Sequence, residues 1–221
     1  MIILLPTLNE ESGLKKILPK IKQLFKNSEL LVVDGGSTDK TLDIAKRFGC
    51  KVMIQKGKGK GNAIIEALEK IDDNEIVAML DADGTYEPAD IKYMLRTFRK
   101  YGSKNTIIIG SRYAFYKKGS FKGLNLLGGM VLSFIASVLF LTYISDMLSG
   151  IRVFRAGDIK RLNLETQNFE IETEMTLKAL KNGIKIVNVP CHYYERFGRS
   201  KLNPFKDGFL IFKRILIERL K

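Results

Sequence analysis

Short β-branched runs alternate with longer amphipathic stretches through the first half of the chain, and this alternation restricts the fold more than any other feature. Repeated strand–helix units of that kind build a mainly parallel sheet with helices on its faces. Strands are expected at 2–6, 30–34, 51–55, 76–80, 106–110 and 184–194, with helices at 10–25, 38–48, 59–71 and 88–101. A chain of 221 residues, 45% hydrophobic, suits one packed domain. Cys50 and Cys191 are too few for a disulfide framework and read as small core residues.

Open parallel sheets bind ligands beyond the carboxyl ends of their strands, so the residues just after each strand carry the functional information. Pro6-Thr7-Leu8-Asn9-Glu10, Asp34-Gly35-Gly36-Ser37-Thr38-Asp39 and Asp81-Ala82-Asp83-Gly84 would meet at one edge. Asn9, Ser37, Thr38 and Asp39 also suit helix capping. Asp81 and Asp83 are harder to explain structurally, because carboxylates one residue apart repel unless a cation or proton lies between them. A hard divalent ion completed by phosphate oxygens satisfies such a pair.

The segment 56–63, Lys-Gly-Lys-Gly-Lys-Gly-Asn-Ala, precedes a helix but matches neither the Walker A loop nor the dinucleotide fingerprint. It reads either as a basic turn near a nucleotide or as a solvated lysine loop. The formal net charge of +13 suits anionic lipid heads or phosphorylated substrates as well as nucleic acid. No nucleic-acid reading motif is present, and acidic strand ends would repel a phosphate backbone. A non-catalytic lipid-bound scaffold is the other alternative to an enzyme.

Taken in order, PTLNE, VVDGGSTDKT, GKGKGNA, MLDADGTYEP, GSRY, SGIRVFR and FGRSKLN resemble family 2 glycosyltransferases, in particular dolichyl-phosphate mannose synthase and its polyprenyl-phosphate relatives. The resemblance runs from Pro6 to about Leu202. It implies a GT-A fold of the α/β class, with a mainly parallel central sheet, flanking helices and interfacial helices. It also implies a nucleotide-sugar donor, Mg²⁺ or Mn²⁺, and inverting transfer to a lipid phosphate. By matching positions, Pro6, Leu8 and Glu10 would line the base and ribose pocket, Asp34 would fix the base, and Lys60 and Ala82 belong with the donor. Asp81 and Asp83 would join metal and diphosphate, Asp83 being placed with the catalytic groups. Arg112 would meet the acceptor phosphate, and Arg196, Arg199, Ser200 and Lys201 would form a basic flap over the donor. Thr85 stands where the family has a metal-ligating glutamine. Asn125 occupies about the place of a second phosphate-binding arginine, for which Lys118 or Lys122 are substitutes.

A phosphate acceptor is already largely ionised at neutral pH, its second pKa being about 6, so transfer to it needs no strong general base. His192, the only histidine, lies in an expected strand and reads as structural. An alcohol acceptor would need a carboxylate, and Asp146 or Glu174 would supply it. Glu172 and Glu174 also suit ordinary helix packing.

No charged residue occurs from 123 to 145, a stretch long enough to span a bilayer. A single crossing would separate Asp81 and Asp83 from Arg196, so the segment must dip, lie in the interface or pack on protein, with Gly128-Gly129 offering a break. Lys117, Lys118 and Lys122 would meet head groups. The tail 205–221 reads as a basic amphipathic interfacial helix. The expected domains are a catalytic unit at 1–204, including the apolar segment 120–145, and this tail. The N-terminus shows no signal peptide, which points to the cytoplasm and peripheral attachment to the cytoplasmic membrane face, directly or through an anchoring partner subunit. The donors implied are GDP-mannose first, then UDP-N-acetylglucosamine or UDP-glucose; a soluble acceptor such as phosphoglycerate is the competing enzyme reading.

Overall fold

The computed structural model describes residues 1–120, 123–198, 201 and 203–221. Four strand–helix units open the chain: β1 (Ile2–Thr7) with α1 (Glu11–Leu24), β2 (Glu29–Asp34) with α2 (Thr41–Arg47), β3 (Lys51–Ile54) with α3 (Lys60–Lys70), and β4 (Ile76–Met79) with α4 (Asp90–Lys100). There follow β5 (Thr106–Tyr116), α5 (Gly123–Leu139), β6 (Arg152–Arg155), α6 (Ala156–Lys160), α7 (Ile171–Lys181), β7 (Lys185–Tyr193) and α8 (Pro204–Leu220). The strands lie in the order β3-β2-β1-β4-β6-β5-β7. All neighbours are parallel except β6, which runs antiparallel to both β4 and β5.

Successive side chains of a strand point to opposite faces, and here both faces are covered, which is why the central strands are apolar throughout. Ile3, Leu5, Leu30, Val32, Ala78 and Leu80 pack under α1 and α4. Ile2, Leu4, Leu31, Val33, Val77 and Met79 pack under α3 and α7. The strands expected from the sequence are present, and β5 continues past 110 to Tyr116, pairing with β7 across a register shift. The antiparallel β6 was not anticipated. Its four residues carry arginine at both ends, which hides a buried strand.

Helix α2 begins at Thr41 rather than 38, because Ser37 and Thr38 are bonded to the β1 loop, while Asp39 Oδ1 accepts from the Thr41 amide at 2.9 Å at the start of the helix. The glycine-rich segment is explained by packing. A Cβ on Gly61 would come within 2.0 Å of the Thr166 carbonyl, and one on Gly59 within 2.3 Å of that of Gln167. The amides of Lys56 and Gly57 donate to the Glu66 carboxylate, so these N–H groups serve the fold rather than a phosphate.

Helix α5 passes through Gly128-Gly129 without the expected break; Gly129 instead admits the Tyr113 side chain, whose hydroxyl would lie 2.7 Å from an added Cβ. One face of α5 packs through Ala136 onto Leu177 of α7 and Ile211 and Ile215 of α8. The opposite face exposes Leu127, Met130, Val131, Phe134 and Val138, and α8 exposes Phe205, Phe209, Phe212 and Leu216. Among the described residues no helix is long and apolar enough to cross a membrane.

The loop from α5 to β6 is fixed by Arg152, which is fully buried. Its guanidinium donates to the carbonyls of Ser149 (3.0 Å) and Met147 (2.7 Å) and to Thr176 Oγ1 (2.9 Å). Burial draws its pKa down to about 10, against the pull of nearby Glu172 and Asp146. Overpacking a filled site costs about 1–3 kcal/mol. Gly61→Ala, which forces α3 away from the 166–168 loop, is therefore expected to lower the urea-unfolding free energy by about that amount, whereas alanine at solvent-facing Gly128 is expected to leave it unchanged or raise it slightly.

Candidate active site

Three loops meet at the carboxyl edge of β1, β2 and β4, and backbone chemistry ties them together. Asn9, in left-handed conformation at φ 51°, accepts from the Thr38 amide at 2.8 Å and donates its own amide to Ser37 Oγ at 2.8 Å. The Glu10 amide donates to Thr41 Oγ1 and that of Glu11 to Asp39 Oδ2. These polar residues, which also suited helix capping, cross-link two loops. Asp34 is fully buried and closes its own turn, accepting from the amides of Gly36 and Ser37 and from the Ser37 hydroxyl. Pro6 is the penultimate residue of β1, Thr7 pairs with Asp34, and Leu8 is exposed at the edge.

The aspartate pair follows β4. Lys60, at the first turn of α3, donates to Asp81 Oδ1 and lies 2.5 Å from Glu172 Oε1 on α7. Burial works against the charges of both Asp81 and Lys60, but their mutual attraction prevails: the carboxyl is held below its ordinary range and the ammonium is raised, with Glu172 adding to the latter. The other Asp81 oxygen faces Gly150, where a Cβ would intrude to 2.6 Å. Asp83 Oδ1 accepts from the Thr85 amide (3.0 Å) and hydroxyl (2.6 Å), and its Oδ2 accepts from Arg196 Nη1 at 2.6 Å. Burial first, and the Asp81 charge second, push the Asp83 carboxyl up. Ala82 is buried, and its carbonyl would meet a Cβ on Gly13 at 2.0 Å, so α1 is seated directly on this turn.

Arg196 also bonds Glu10, and Lys201 Nζ donates to the same Glu10 oxygen at 2.7 Å. Burial raises the Glu10 pKa despite these cations. Arg199 and Ser200, expected in the flap, lie outside the described residues, as does Lys122.

Arg112, on β5, is held by Asp146 through two parallel bonds: Nε donates to Oδ2 and Nη2 to Oδ1, each at 2.7 Å. The Arg112 amide donates to the same carboxylate at 3.0 Å. Asp146 is fully buried and fully engaged, which corrects its expected role as a base: it orients an arginine. The guanidinium lies 5.4 Å from the centre of the Tyr193 ring and is near enough to Asp81 to lower its pKa. Tyr86, buried against Tyr193, accepts from the Gly150 amide at 2.8 Å. Asn125 sits on the first turn of α5. Glu174 is likewise buried and no base, since it accepts from the Glu165 and Thr166 amides and from Lys178. His192 bonds Asp90 and stacks on Phe115, the structural role expected of it.

Asp81 and Asp83 offer hard oxygens of the kind Mg²⁺ and Mn²⁺ take, and the absence of a side chain at Gly150 is what lets the Asp81 carboxylate sit where it does. Among the described residues no three His, Cys, Asp or Glu side chains surround one point. A donor set of two carboxylates therefore fits an ion completed by phosphate oxygens and water. Thr85 is spent on Asp83. Lys16, Tyr86, Gly150 and Arg152 were not singled out from the sequence; the SGIRVFR run held the signal for the last two.

A mixed α/β sheet with paired aspartates closing a central strand is the plan of the GT-A glycosyltransferases. The chain belongs to glycosyl transferase family 2, whose family model matches residues 2–162. It is 37% identical over 213 residues to glycosyltransferase AglJ of Haloferax volcanii, with 95% of this chain and 69% of that protein covered. It is 29% identical over 227 residues to a dolichyl-phosphate hexose transferase of the same organism, covering 100% and 96%. A crystal structure of glucosyl-3-phosphoglycerate synthase from Mycobacterium tuberculosis with Mn²⁺, UDP-glucose and phosphoglyceric acid matches with a TM-score of 0.76 at 20% identity, over 99% of this chain and 79% of that one. The expected fold class and enzyme class both hold: this is a glycosyltransferase.

Removing one partner of a buried ion pair typically costs about 3–5 kcal/mol, because the other charge is left uncompensated. Lys60→Met strands Asp81 and Glu172. Urea unfolding is expected to show a loss of that order at neutral pH. The loss shrinks as pH falls, since protonating the stranded carboxylates relieves it; a pH-independent loss would contradict the assignment.

Proposed function

We propose that this glycosyltransferase moves a hexose from a nucleoside-diphosphate donor to a polyprenyl phosphate of the dolichyl type, with inversion at the anomeric carbon. The observation that carries the reading is Arg112: a guanidinium oriented by a fully buried carboxylate, close enough to Asp81 to act on its charge, and next in sequence to Tyr113, which packs on the helix that bears the exposed apolar face. An oriented arginine fork suits a phosphate monoester. The activity named for the Haloferax dolichyl-phosphate hexose transferase supports the same acceptor class.

In this reading Pro6, Leu8, Glu10 and Asp34 border the nucleoside, and Asp81 and Asp83 would hold Mg²⁺ or Mn²⁺, which when bound would supply positive charge to the departing diphosphate. Lys60 keeps Asp81 ionised and aimed. Arg196 and Lys201 cover the leaving diphosphate. Arg112 steers an acceptor oxygen toward the anomeric carbon; a new C–O bond forms on one face as the bond to the diphosphate breaks on the other. The acceptor arrives ionised, so no residue must take a proton. Asp146 acts through Arg112 as a positioning residue.

The stripes on α5 and α8 support peripheral attachment to a membrane surface, with Lys117, Lys118, Lys206 and Lys213 in reach of anionic head groups. GDP-mannose is the first donor to test, followed by UDP-N-acetylglucosamine and UDP-glucose.

The test is transfer of labelled hexose to a short polyprenyl phosphate with Mn²⁺. Activity is expected with one of these donors and to vanish in Asp83→Ala. Loss of one preorganised donor typically costs about 10²–10³ in rate. Arg112→Ala is expected to fall in that range, and Asp146→Asn to lose less while raising KM for the lipid phosphate. Transfer to phosphoglycerate but to no lipid phosphate would overturn the acceptor assignment. A second measurement is flotation with anionic liposomes: the protein is expected to float, to be released by high salt, and to float less as Phe134→Ser/Phe209→Ser.

A further inference from the structure

Arg196 lies where the aspartate pair demands a cation. Its guanidinium spans carboxylates from two different strand ends, donating to Asp83 Oδ2 at 2.6 Å and to Glu10. Its Nε is buried without a partner among the described residues, so the bridge uses only part of its donor capacity. The segment carrying it is strapped down on the DADG turn. The Tyr194 amide donates to the Thr85 carbonyl at 2.8 Å and that of Phe197 to the Asp83 carbonyl at 3.2 Å. Lys16 donates to the Gly84 carbonyl at 2.9 Å while its ammonium sits 4.7 Å from the Phe197 ring centre and 5.2 Å from that of Tyr194.

A carboxylate oxygen bonded at 2.6 Å to a guanidinium is not open to a bare divalent ion. The ion must displace a half-buried arginine whose Nε already lacks a partner among the described residues and leave it with Glu10 alone, which gives up a charge-assisted bond. A nucleoside diphosphate removes that cost, because its phosphate oxygens accept the same N–H fork that Asp83 gives up.

We propose that Arg196 is the resident counter-cation of Asp83, so that the protein binds free divalent metal weakly and binds it well only together with a diphosphate that takes over the guanidinium. The diphosphate half rests on the function proposed above; the free-metal half does not. By linkage, the same exchange makes metal and nucleotide raise each other's affinity by one common factor.

The experiment titrates the full chain with Mn²⁺ and follows the free-ion electron paramagnetic resonance signal, alone and with GDP or UDP, for wild type, Arg196→Gln, Arg196→Lys and Lys201→Gln. Arg196→Gln is expected to bind free Mn²⁺ about tenfold more tightly than wild type and to lose about tenfold of the metal–nucleotide coupling, about 1.4 kcal/mol. Arg196→Lys keeps the charge but not the fork, and is expected to gain roughly threefold for free Mn²⁺. Lys201→Gln removes a charge that is not on Asp83 and is expected to change it by less than about twofold. Free Mn²⁺ affinity in Arg196→Lys equal to or below wild type overturns the proposal, as does an equal gain in Lys201→Gln and Arg196→Gln. If Arg196→Gln does not fold, the lysine variant decides. If neither nucleotide binds wild type with Mn²⁺, the proposed function fails while the free-metal comparison still judges Arg196.

Discussion

Two carboxylates one residue apart at the end of a buried strand cannot both stay charged without help, and the organisation of this molecule follows from how that help is delivered. Asp81 is answered from behind by Lys60, whose ammonium is itself shared with Glu172 on a helix from the far half of the chain. Asp83 is answered from in front by Thr85 and Arg196. The two oxygen donors therefore differ in kind: one is neutralised permanently by the core, the other by a segment that comes late in the chain. Low-dielectric surroundings make each of these pairings consequential, since an unmatched charge there is far more costly than at the surface.

The surroundings of Arg112 are built with the same economy of contacts. The run between α5 and β6 places Asp146 under Arg112 and Gly150 against Asp81, and Arg152 ties that run to α7 by two hydrogen bonds to the run's carbonyls and one to Thr176. One loop thus sets the distance between the arginine and the aspartate pair. The antiparallel β6 is what returns the chain to the sheet between β4 and β5 so that this loop can reach both.

Much of this could be read from the residues alone. Strands β1, β2 and β4 and the first half of β5 are runs of buried, mostly apolar side chains, and the acidic turns sit where ligands gather in such sheets. What escaped notice depended on partners distant in sequence. Buried Arg152 and Glu172 look like surface charges until their neighbours are known, and the glycines at 59 and 61 mimic a phosphate loop until the 166–168 backbone is seen lying on them. Asp146 was legible as an important carboxylate but not as one enclosed by the protein, because nothing in a linear spacing reports that both of its oxygens are occupied. Gly128-Gly129 promised a break in α5, yet the helix is continuous because its neighbours, not its propensity, decide.

Gly13 has the widest reach. With no room for even a methyl group between α1 and the Ala82 carbonyl, the first helix and the aspartate turn behave as a single piece of masonry, and drift in one is fatal to the other. The outward side chains of α5 and α8 lie outside the core cluster that holds Leu14, Ile17 and Ala82 together. Descendants of this sequence are thus free to retune their greasy exterior to new surroundings while the interior joint stays frozen.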